Sequence, residues 1–438
     1  MSEKSETEIS GQGNFPKIPS AGQVEFGIAM GIFFVVLYFI FGFILNGYGF
    51  FQVLDVFCES DSARVMCDMT MFNADHTRTN AHPIFTIMFN PPGVVLSKIV
   101  GNKPVAALII NSLFGGLCVT LIFIFLLQMG AGTALAAVSA IALGFSSSHL
   151  FFGSSPETHL YSAASLIILS LLVKNKPGNL KHFIPAGVFS FGLLITNIVP
   201  VSIFFGSGIW KGKANKSFIA RLITFTAIVF LSVTILAVIQ QKIYPTSNPF
   251  YNPKELSNDI NRTTMPKGLS DIGARIGNLA TYVLIADFVA PEIKVTSYDI
   301  ASRPIIYTDL KSPTPLYIAG AILIVALYLA AFYFLLKNKF YRDPVIRAFL
   351  LVMAFNVVLY FFYSNQILFI FTCNWTFIML SLIVLSINGE INSRKILPMV
   401  FMCLMILLVL IETIKNTSFI LSVADEYREY WLKSGSFG

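Results

Sequence analysis

Long apolar runs, separated by short polar stretches, make up most of the chain. A helix needs about 20 mostly apolar residues to cross a bilayer, and the runs predict eleven such spans. Their boundaries are 26–46, 105–128, 133–148, 160–173, 183–196, 198–209, 217–239, 316–336, 345–362, 368–387 and 396–414. The fifth and sixth share one stretch interrupted at Asn197 and Pro200, which we interpret as two short helices meeting at a bend. The pattern predicts an all-α, polytopic membrane protein.

The composition supports this class. Of the 438 residues, 55% are hydrophobic and only 12% are charged, whereas a water-soluble domain carries about 25% charged residues. The water-soluble enzyme classes are therefore excluded. The five cysteines include no CxxC pair and no Cys/His cluster at zinc spacing, so a structural metal site is not expected. The sequence leaves open whether Cys58 and Cys67 are bridged.

The apolar stretch at residues 83–100 is ambiguous, because it resembles the start of a span but contains Pro91 and Pro92. Short loops rich in Lys and Arg favour the cytoplasmic side. Four occur: "VKNKPGNLKH", "KGKANKSFIAR", "LKNKFYRDPVIR" and "NSRK". With a cytoplasmic N-terminus, all four face the cytoplasm only if residues 83–100 do not cross. The prolines also remove two backbone donors, so we expect a re-entrant or juxtamembrane element on the outer face.

This topology divides the chain into five parts. They are a flexible cytoplasmic leader (1–25), a transmembrane module (26–240) with a first outer segment (47–104), a large second outer segment (241–315), C-terminal transmembrane helices (316–415) and an outer tail (416–438). In the second outer segment, "GLSDIGARIGNLATYVLIADFV" is predicted to form an amphipathic helix at the membrane interface.

Ionisable side chains concentrate outside the predicted spans. Glu412 is the one acidic residue inside a span, and buried charges are costly in a bilayer. The first outer segment holds Asp55, Asp61, Arg64, Asp68, His76, Arg78 and His82, the next outer hinge holds Glu157, His159 and Tyr161, and a third hinge holds Tyr363. A solvated loop would explain the first group, and a helix N-cap in "SPET" would explain Glu157. The convergence of these groups on one membrane face favours a site there.

Four short motifs in this arrangement resemble motifs of the GT-C superfamily of integral membrane glycosyltransferases. They are "ESDSARVMCDM", "RTNAHPIF", "SSPETHLYS" and, more weakly, "FFYSNQILF". The superfamily includes protein O-mannosyltransferases and bacterial lipid and O-antigen glycosyltransferases. The resemblance covers mainly the N-terminal half; the second half is similar only in layout.

The resemblance implies an inverting transfer from a polyprenyl-phosphate sugar on the outer face, with an Asp as general base. Carried onto this chain, the base is Asp61, then Asp68, then Asp55. The candidates for the donor phosphate are Arg64, Arg78, His82 and Arg303, and those for the acceptor or its supporting shell are Glu157, His159, Tyr161, His76 and Tyr363. The acceptor is a glycan, glycolipid or protein, and no nucleic acid is involved. No metal is expected, although Glu59 and Asp61 in "ESD" leave a divalent ion possible.

Two other functions stay open. A lipid or glycan transporter or flippase would place ionisable residues or broken helices near the bilayer midplane, and the break at "TNIVP" partly fits. An envelope polysaccharide polymerase would rely on basic residues in outer loops, such as Arg262, Arg275 and Arg303. The expected location is a bacterial inner membrane with the active site facing the periplasm.

Overall fold

The computed structural model describes residues 18–52, 57, 60–254, 257, 263–297, 304–363, 368–388 and 396–434. Its helices are α1 (Ala21–Gly47), α2 (Ser62–Thr70), α3 (Phe85–Val100), α4 (Lys103–Gln128), α5 (Thr133–Phe145), α6 (Ser147–Ser154), α7 (Thr158–Asn175), α8 (Leu180–Leu193), α9 (Ile198–Ile209), α10 (Lys216–Ile243), α11 (Leu269–Thr281), α12 (Pro315–Lys337), α13 (Pro344–Phe362), α14 (Leu368–Thr372), α15 (Thr376–Asn388) and α16 (Ile396–Ser434).

Within the described ranges, six helices are long and apolar enough to cross a membrane: α1, α4, α10, α12, α13 and most of α16. A seventh span results if α5 and α6, which meet at a 58° bend, are counted as one. The chain is therefore a mostly helical integral membrane protein. The count of eleven spans, the orientation and the five-part division stay predictions.

Helices α1 and α4 approach each other closely in the helical core. Gly27 and Gly31 have the GxxxG spacing that lets two membrane helices approach closely. A Cβ on Gly31 would clash with Thr120 and with the backbone of Gly116, and a Cβ on Gly116 would clash with Gly31. Close backbone approach fixes α4 against α1, and α4 in turn packs against α3 and α7, which carry parts of the candidate site.

The second outer segment contains a two-stranded antiparallel hairpin that the all-α prediction did not include. Strand β1 (Glu292–Ser297) pairs with β2 (Pro304–Asp309), in a register that sets Glu292 opposite Asp309. Isolated two-stranded sheets are marginally stable, so the hairpin depends on the rest of the fold. A bridge between Phe57 and Ile306 and an ion pair between Lys415 and Glu292 attach it.

Helix α16 is much longer than a membrane crossing requires. Its 39 residues span about 58 Å at 1.5 Å per residue, so the helix includes most of the stretch predicted as a separate outer tail. Phe419 and Tyr427 in this extension pack their rings against Phe57 and Phe50 of the first outer segment. The C-terminal helix thus supports the part of the chain that carries the candidate site.

Helix α3 continues through Pro91 and Pro92 and holds α2 in place. The Asn90 side chain donates to the carbonyl oxygens of Asp68 (2.8 Å) and Met71 (3.1 Å). Three residues later, Gly93 lies directly against the backbone of α2 at Met69. The ambiguous stretch of the sequence is therefore the platform on which α2 rests.

Gly93→Ala is expected to destabilise the protein by about 1–3 kcal/mol, because the added methyl group overpacks the α2–α3 contact. The clash is with a backbone carbonyl, which cannot move aside as a side chain can. The measurement is the thermal unfolding midpoint of the purified protein in detergent. Gly101→Ala is not a suitable control because Gly101 has a positive φ; Gly22→Ala, in open space on α1, should leave the midpoint unchanged. Equal midpoints for wild type and Gly93→Ala would contradict this packing.

Candidate active site

The short helix α2 is organised around one buried arginine. Arg64 Nη2 contacts Asp61 Oδ2 at 2.8 Å, and Arg64 Nη1 contacts Asp68 Oδ2 at 2.9 Å. These pairs have i,i+3 and i,i+4 spacing, which places all three side chains on one face of a helix. The arginine therefore joins the two strongest candidates for the base into one network.

Asp68 is the inner, fully engaged member of this network. Its side chain is 2% exposed, and its second oxygen accepts from His76 Nδ1 at 2.7 Å. His76 is itself buried, with Nε2 3.2 Å from the carbonyl oxygen of Phe72. Both Asp68 oxygens are therefore occupied, one by Arg64 and the other by His76.

Asp61 is the outer, accessible member. It immediately precedes α2, its side chain is 23% exposed, and Arg78 Nε lies 3.9 Å from its Oδ2. Burial alone would raise the pKa of Asp61, but the guanidinium groups of Arg64 and Arg78 hold this pKa below its usual value. The carboxylate is therefore ionised at neutral pH. Both arginine contacts use Oδ2, and among the described residues no hydrogen bond or ion pair takes Oδ1.

Glu157 lies 96 residues further along the chain and contacts the backbone of Asp61. Its Oε2 accepts the Asp61 backbone N–H at 3.0 Å, and its Oε1 accepts from the Thr158 N–H at 2.7 Å, capping α7. The Glu157 side chain is buried; burial, followed by the charge of Asp61, raises its pKa. The helix-cap interpretation and the supporting-shell interpretation of Glu157 are therefore both compatible with the same contacts.

Asn111 is a contributor that the sequence analysis missed. It lies inside an apolar run of α4, where its Nδ2 donates to the carbonyl oxygens of Phe152 (2.7 Å), Gly153 (3.0 Å) and Ser155 (3.2 Å). These carbonyls lie at the end of α6, where the last helical carbonyls have no partner within the helix. An Asn in an otherwise apolar span was the available signal, since such a residue is costly unless it is hydrogen-bonded. Asn111 thereby fixes the hinge that carries Glu157.

His82 is uncharged in this environment. Burial, followed by the nearby Arg64, lowers the pKa of His82 well below its usual value. Its Nδ1 donates to the Leu193 carbonyl oxygen at 2.8 Å, and its Nε2 lies 3.5 Å from the Thr158 hydroxyl. His82 thus connects the segment before α3 to the turn between α8 and α9. The contacts give no support to a role as a cation for phosphate.

The remaining candidates lie deeper than Asp61. His159 Nδ1 accepts from Asn374 Nδ2 at 2.8 Å, and its ring meets Phe371 edge-on at 5.1 Å. Tyr161 is buried among aromatic rings, and its hydroxyl donates to the Met69 sulfur. Tyr363 is half-buried at the end of α13 and packs near Phe371, 5.9 Å between ring centroids. These side chains line the protein interior next to the charged network.

Within the described ranges, no three His, Cys, Asp or Glu side chains gather as a metal site. The predicted candidates Asp55 and Arg303, with Glu59 and Cys58, lie outside those ranges. Cys67 carries a free thiol. Among the site residues that the structure describes, the accessible charged groups are Asp61 and Arg78, the latter with 30% of its side chain exposed.

No protein-family model matches the chain, and no curated protein matches it. Among solved structures, the chain is similar to the apo form of the Archaeoglobus fulgidus oligosaccharyltransferase, with 12% sequence identity and a TM-score of 0.42. The match covers 92% of this chain and 55% of that one, so this chain spans about half the length of the matched protein. A similarity this low does not bear on function, which depends on the side chains described above.

Proposed function

We propose that this protein transfers a sugar from a polyprenyl-phosphate donor to a hydroxyl group of a glycan, glycolipid or protein acceptor at the outer face of the membrane. The observation that carries the proposal is the Asp61–Arg78 pair, an ionised carboxylate and a cation that are both partly exposed. Around them, Asp68, His76 and Glu157 are buried and engaged with one another or with the backbone. An accessible base next to an accessible cation is what this transfer requires.

Asp61 acts as the general base. As the acceptor oxygen forms its bond to the anomeric carbon, the acceptor proton passes to the Asp61 carboxylate, with Oδ1 the oxygen not held by an arginine. The bond from the anomeric carbon to the donor phosphate oxygen breaks, and its electron pair stays on the phosphate. Attack from the side opposite the leaving group inverts the anomeric carbon. A positioned carboxylate contributes about 10²–10⁴-fold to such a step.

Arg78 stabilises the leaving phosphate. Charge builds up on the phosphate as the bond breaks, and a guanidinium placed there lowers the barrier. Arg64 is less suited to this role because its side chain is 9% exposed and is shared between two carboxylates. Asp68, His76 and Glu157 position Asp61 and Arg64, and His159, Tyr161 and Tyr363 line the acceptor side.

The test uses purified protein and a panel of labelled sugars on short polyprenyl phosphates, offered with host glycolipid or protein. Transfer by the wild type that disappears in heat-treated protein supports the proposal. A transporter is the second candidate, because the bend between α5 and α6 contacts the backbone of the buried acid Asp287, and transporters place broken helices at their substrate and ion sites. Movement of lipid across proteoliposomes without any sugar transfer would favour it.

The acid limb of the pH profile of kcat/KM is expected below about pH 4, the usual Asp value. Arg64 and Arg78 lower the pKa of Asp61 against the effect of burial, so the active carboxylate persists to lower pH and activity is lost as pH falls through the lowered pKa. Arg78→Gln removes one of these charges and should move the acid limb to higher pH. Arg78→Lys keeps a positive charge, so its acid limb should lie closer to that of the wild type. An acid limb that Arg78→Gln does not move would contradict the pairing.

A further inference from the structure

A small polar cavity lies where α9 ends and α10 begins, far from the candidate active site. Its volume is about 160 Å³, and its polar lining consists of Lys211, Lys213, Asn215, Ser217 and Arg221. The other end of α10 contacts the backbone of the segment that leads into α3, through the side chain at position 240. Positions 221 and 240 lie about 29 Å apart along the helix, at 1.5 Å per residue. The cavity and the candidate active site are therefore separated by about the thickness of a bilayer core.

The cavity is positively charged. Lys211, Lys213 and Arg221 all line it, and within the part of the chain that the structure describes, none of the three forms an ion pair. The sequence contains no acidic residue between Glu157 and Glu255, so the surrounding helices α7 to α10 supply no counter-charge after that first acid. Three cations around one cavity repel one another, and an anion between them lowers the electrostatic energy.

The turn between α7 and α8 holds Arg221 in place. Arg221 Nη2 donates to the Gly178 carbonyl oxygen at 3.2 Å. Gly178 has a φ of 68°, and a Cβ at this position would clash with Ile209, so the close approach of the turn requires glycine. A guanidinium has five N–H donors. The contact with Gly178 therefore fixes the side chain and leaves further N–H groups for a ligand.

The first turn of α10 adds neutral donors to the same cavity. Asn215 caps the helix by accepting from the Phe218 N–H at 2.8 Å. The amide groups of Lys216 and Ser217 have no carbonyl partner within the helix, and Ser217 also contributes its hydroxyl to the lining. The start of a helix carries a partial positive charge that favours anions, phosphate in particular. Together with the cations, these donors match the several oxygens of a phosphate group.

Apolar groups beside the cavity indicate that this phosphate belongs to a lipid. Ile209 and Phe218 complete the lining, and the Trp210 ring meets Phe218 edge-on at 5.1 Å. Tryptophan is typical of the membrane–water interface. Only 22% of the apolar stretch of α10 is buried, the smallest share among the six long apolar helices of the described ranges. Lipid chains therefore border α10 directly, whereas a free phosphate ion would use none of these apolar contacts.

We propose that this cavity binds the phosphate of an anionic phospholipid such as phosphatidylglycerol, with Lys211, Lys213 and Arg221 as its charged contacts. The acyl chains would lie along the exposed side of α10. Basic pockets between membrane helices bind acidic lipid headgroups. Because Arg221 also contacts the turn between α7 and α8, the lipid would hold this turn and the ends of α9 and α10 together. The site is separate from the proposed sugar transfer and does not depend on it.

The test is native mass spectrometry of the purified full-length protein in a neutral detergent, titrated with phosphatidylglycerol or with phosphatidylcholine of the same chain length. Phosphatidylglycerol should bind at one saturable site, and phosphatidylcholine should not compete for it. The variant Lys211→Gln with Lys213→Gln should weaken this binding about 25-fold, because each basic residue near a lipid surface contributes about fivefold. Both lysines are exposed, so the unfolding midpoint without added lipid should equal that of the wild type.

The matched control is Lys176→Gln with Lys181→Gln. It removes two exposed positive charges from the neighbouring loop without changing the lining of the cavity, and it should bind phosphatidylglycerol with the affinity of the wild type. An equal loss of affinity in this control would overturn the proposal, because the overall charge of the surface would then attract the lipid. Binding that the Lys211 and Lys213 substitutions leave unchanged would overturn it as well. Displacement of the lipid by an equal concentration of inorganic phosphate would replace the lipid site with a site for a free anion.

Discussion

Asp61→Asn is expected to lower kcat for sugar transfer by about 10²–10⁴-fold and to leave the fold intact. The asparagine keeps the size of the side chain and an oxygen that can still accept from Arg64, but it cannot take up the acceptor proton. Asp61 is also the most accessible acid of the network, with 23% of its side chain exposed, so its replacement disturbs little packing. The measurement is the initial rate of transfer at saturating donor.

Asp75→Asn is the matched control, because Asp75 is an exposed acid in the same outer segment. It should retain the wild-type rate, and both variants should unfold at the wild-type temperature. If Asp61→Asn transferred at the wild-type rate, the base would be a different group. Asp68 would then be a poor replacement, since both of its oxygens are engaged.

Arg64→Met should destabilise the protein by about 3–5 kcal/mol, the cost of leaving a buried charge without its partner. Arg64 is 9% exposed and Asp68 is 2% exposed, so water cannot replace the lost contact. The measurement is chemical unfolding in detergent. Combining Arg64→Met with Asp68→Asn should recover part of the loss, and a double-mutant cycle gives the coupling between the two residues.

Arg78→Met provides the comparison for this prediction. Its side chain is 30% exposed and its contact with Asp61 is long, at 3.9 Å, so its removal should cost less than about 1 kcal/mol. Equal losses for Arg64→Met and Arg78→Met would contradict the description of Arg64 as the buried centre of the network.

The sequence predicted the parts of this fold that depend on local pattern. Apolar runs predicted the long helices, and the broken run at Asn197 corresponds to separate helices α8 and α9. Asp61 and Asp68 are seven residues apart, about two helical turns, and in the structure Arg64 joins them on one face. Helical periodicity is sufficient for all of these.

The missed features depend on contacts between distant parts of the chain. Glu157 was placed on the same membrane face as Asp61, but its hydrogen bond to the Asp61 backbone joins residues 96 positions apart. In the sequence, Asn111 is a single polar residue in an apolar run. Its three carbonyl acceptors become apparent only in the folded structure. The hairpin formed by β1 and β2 is likewise supported by packing rather than by its own pairing.

The central claim is inverting sugar transfer from a polyprenyl-phosphate donor. The most direct test is to supply a donor of known anomeric configuration to the purified wild type and to determine the configuration of the product by NMR. We predict a product with the opposite configuration at the anomeric carbon, formed by the wild type and at most in traces by Asp61→Asn. A product that retains the configuration, or no transfer from any donor of the panel, would contradict the account.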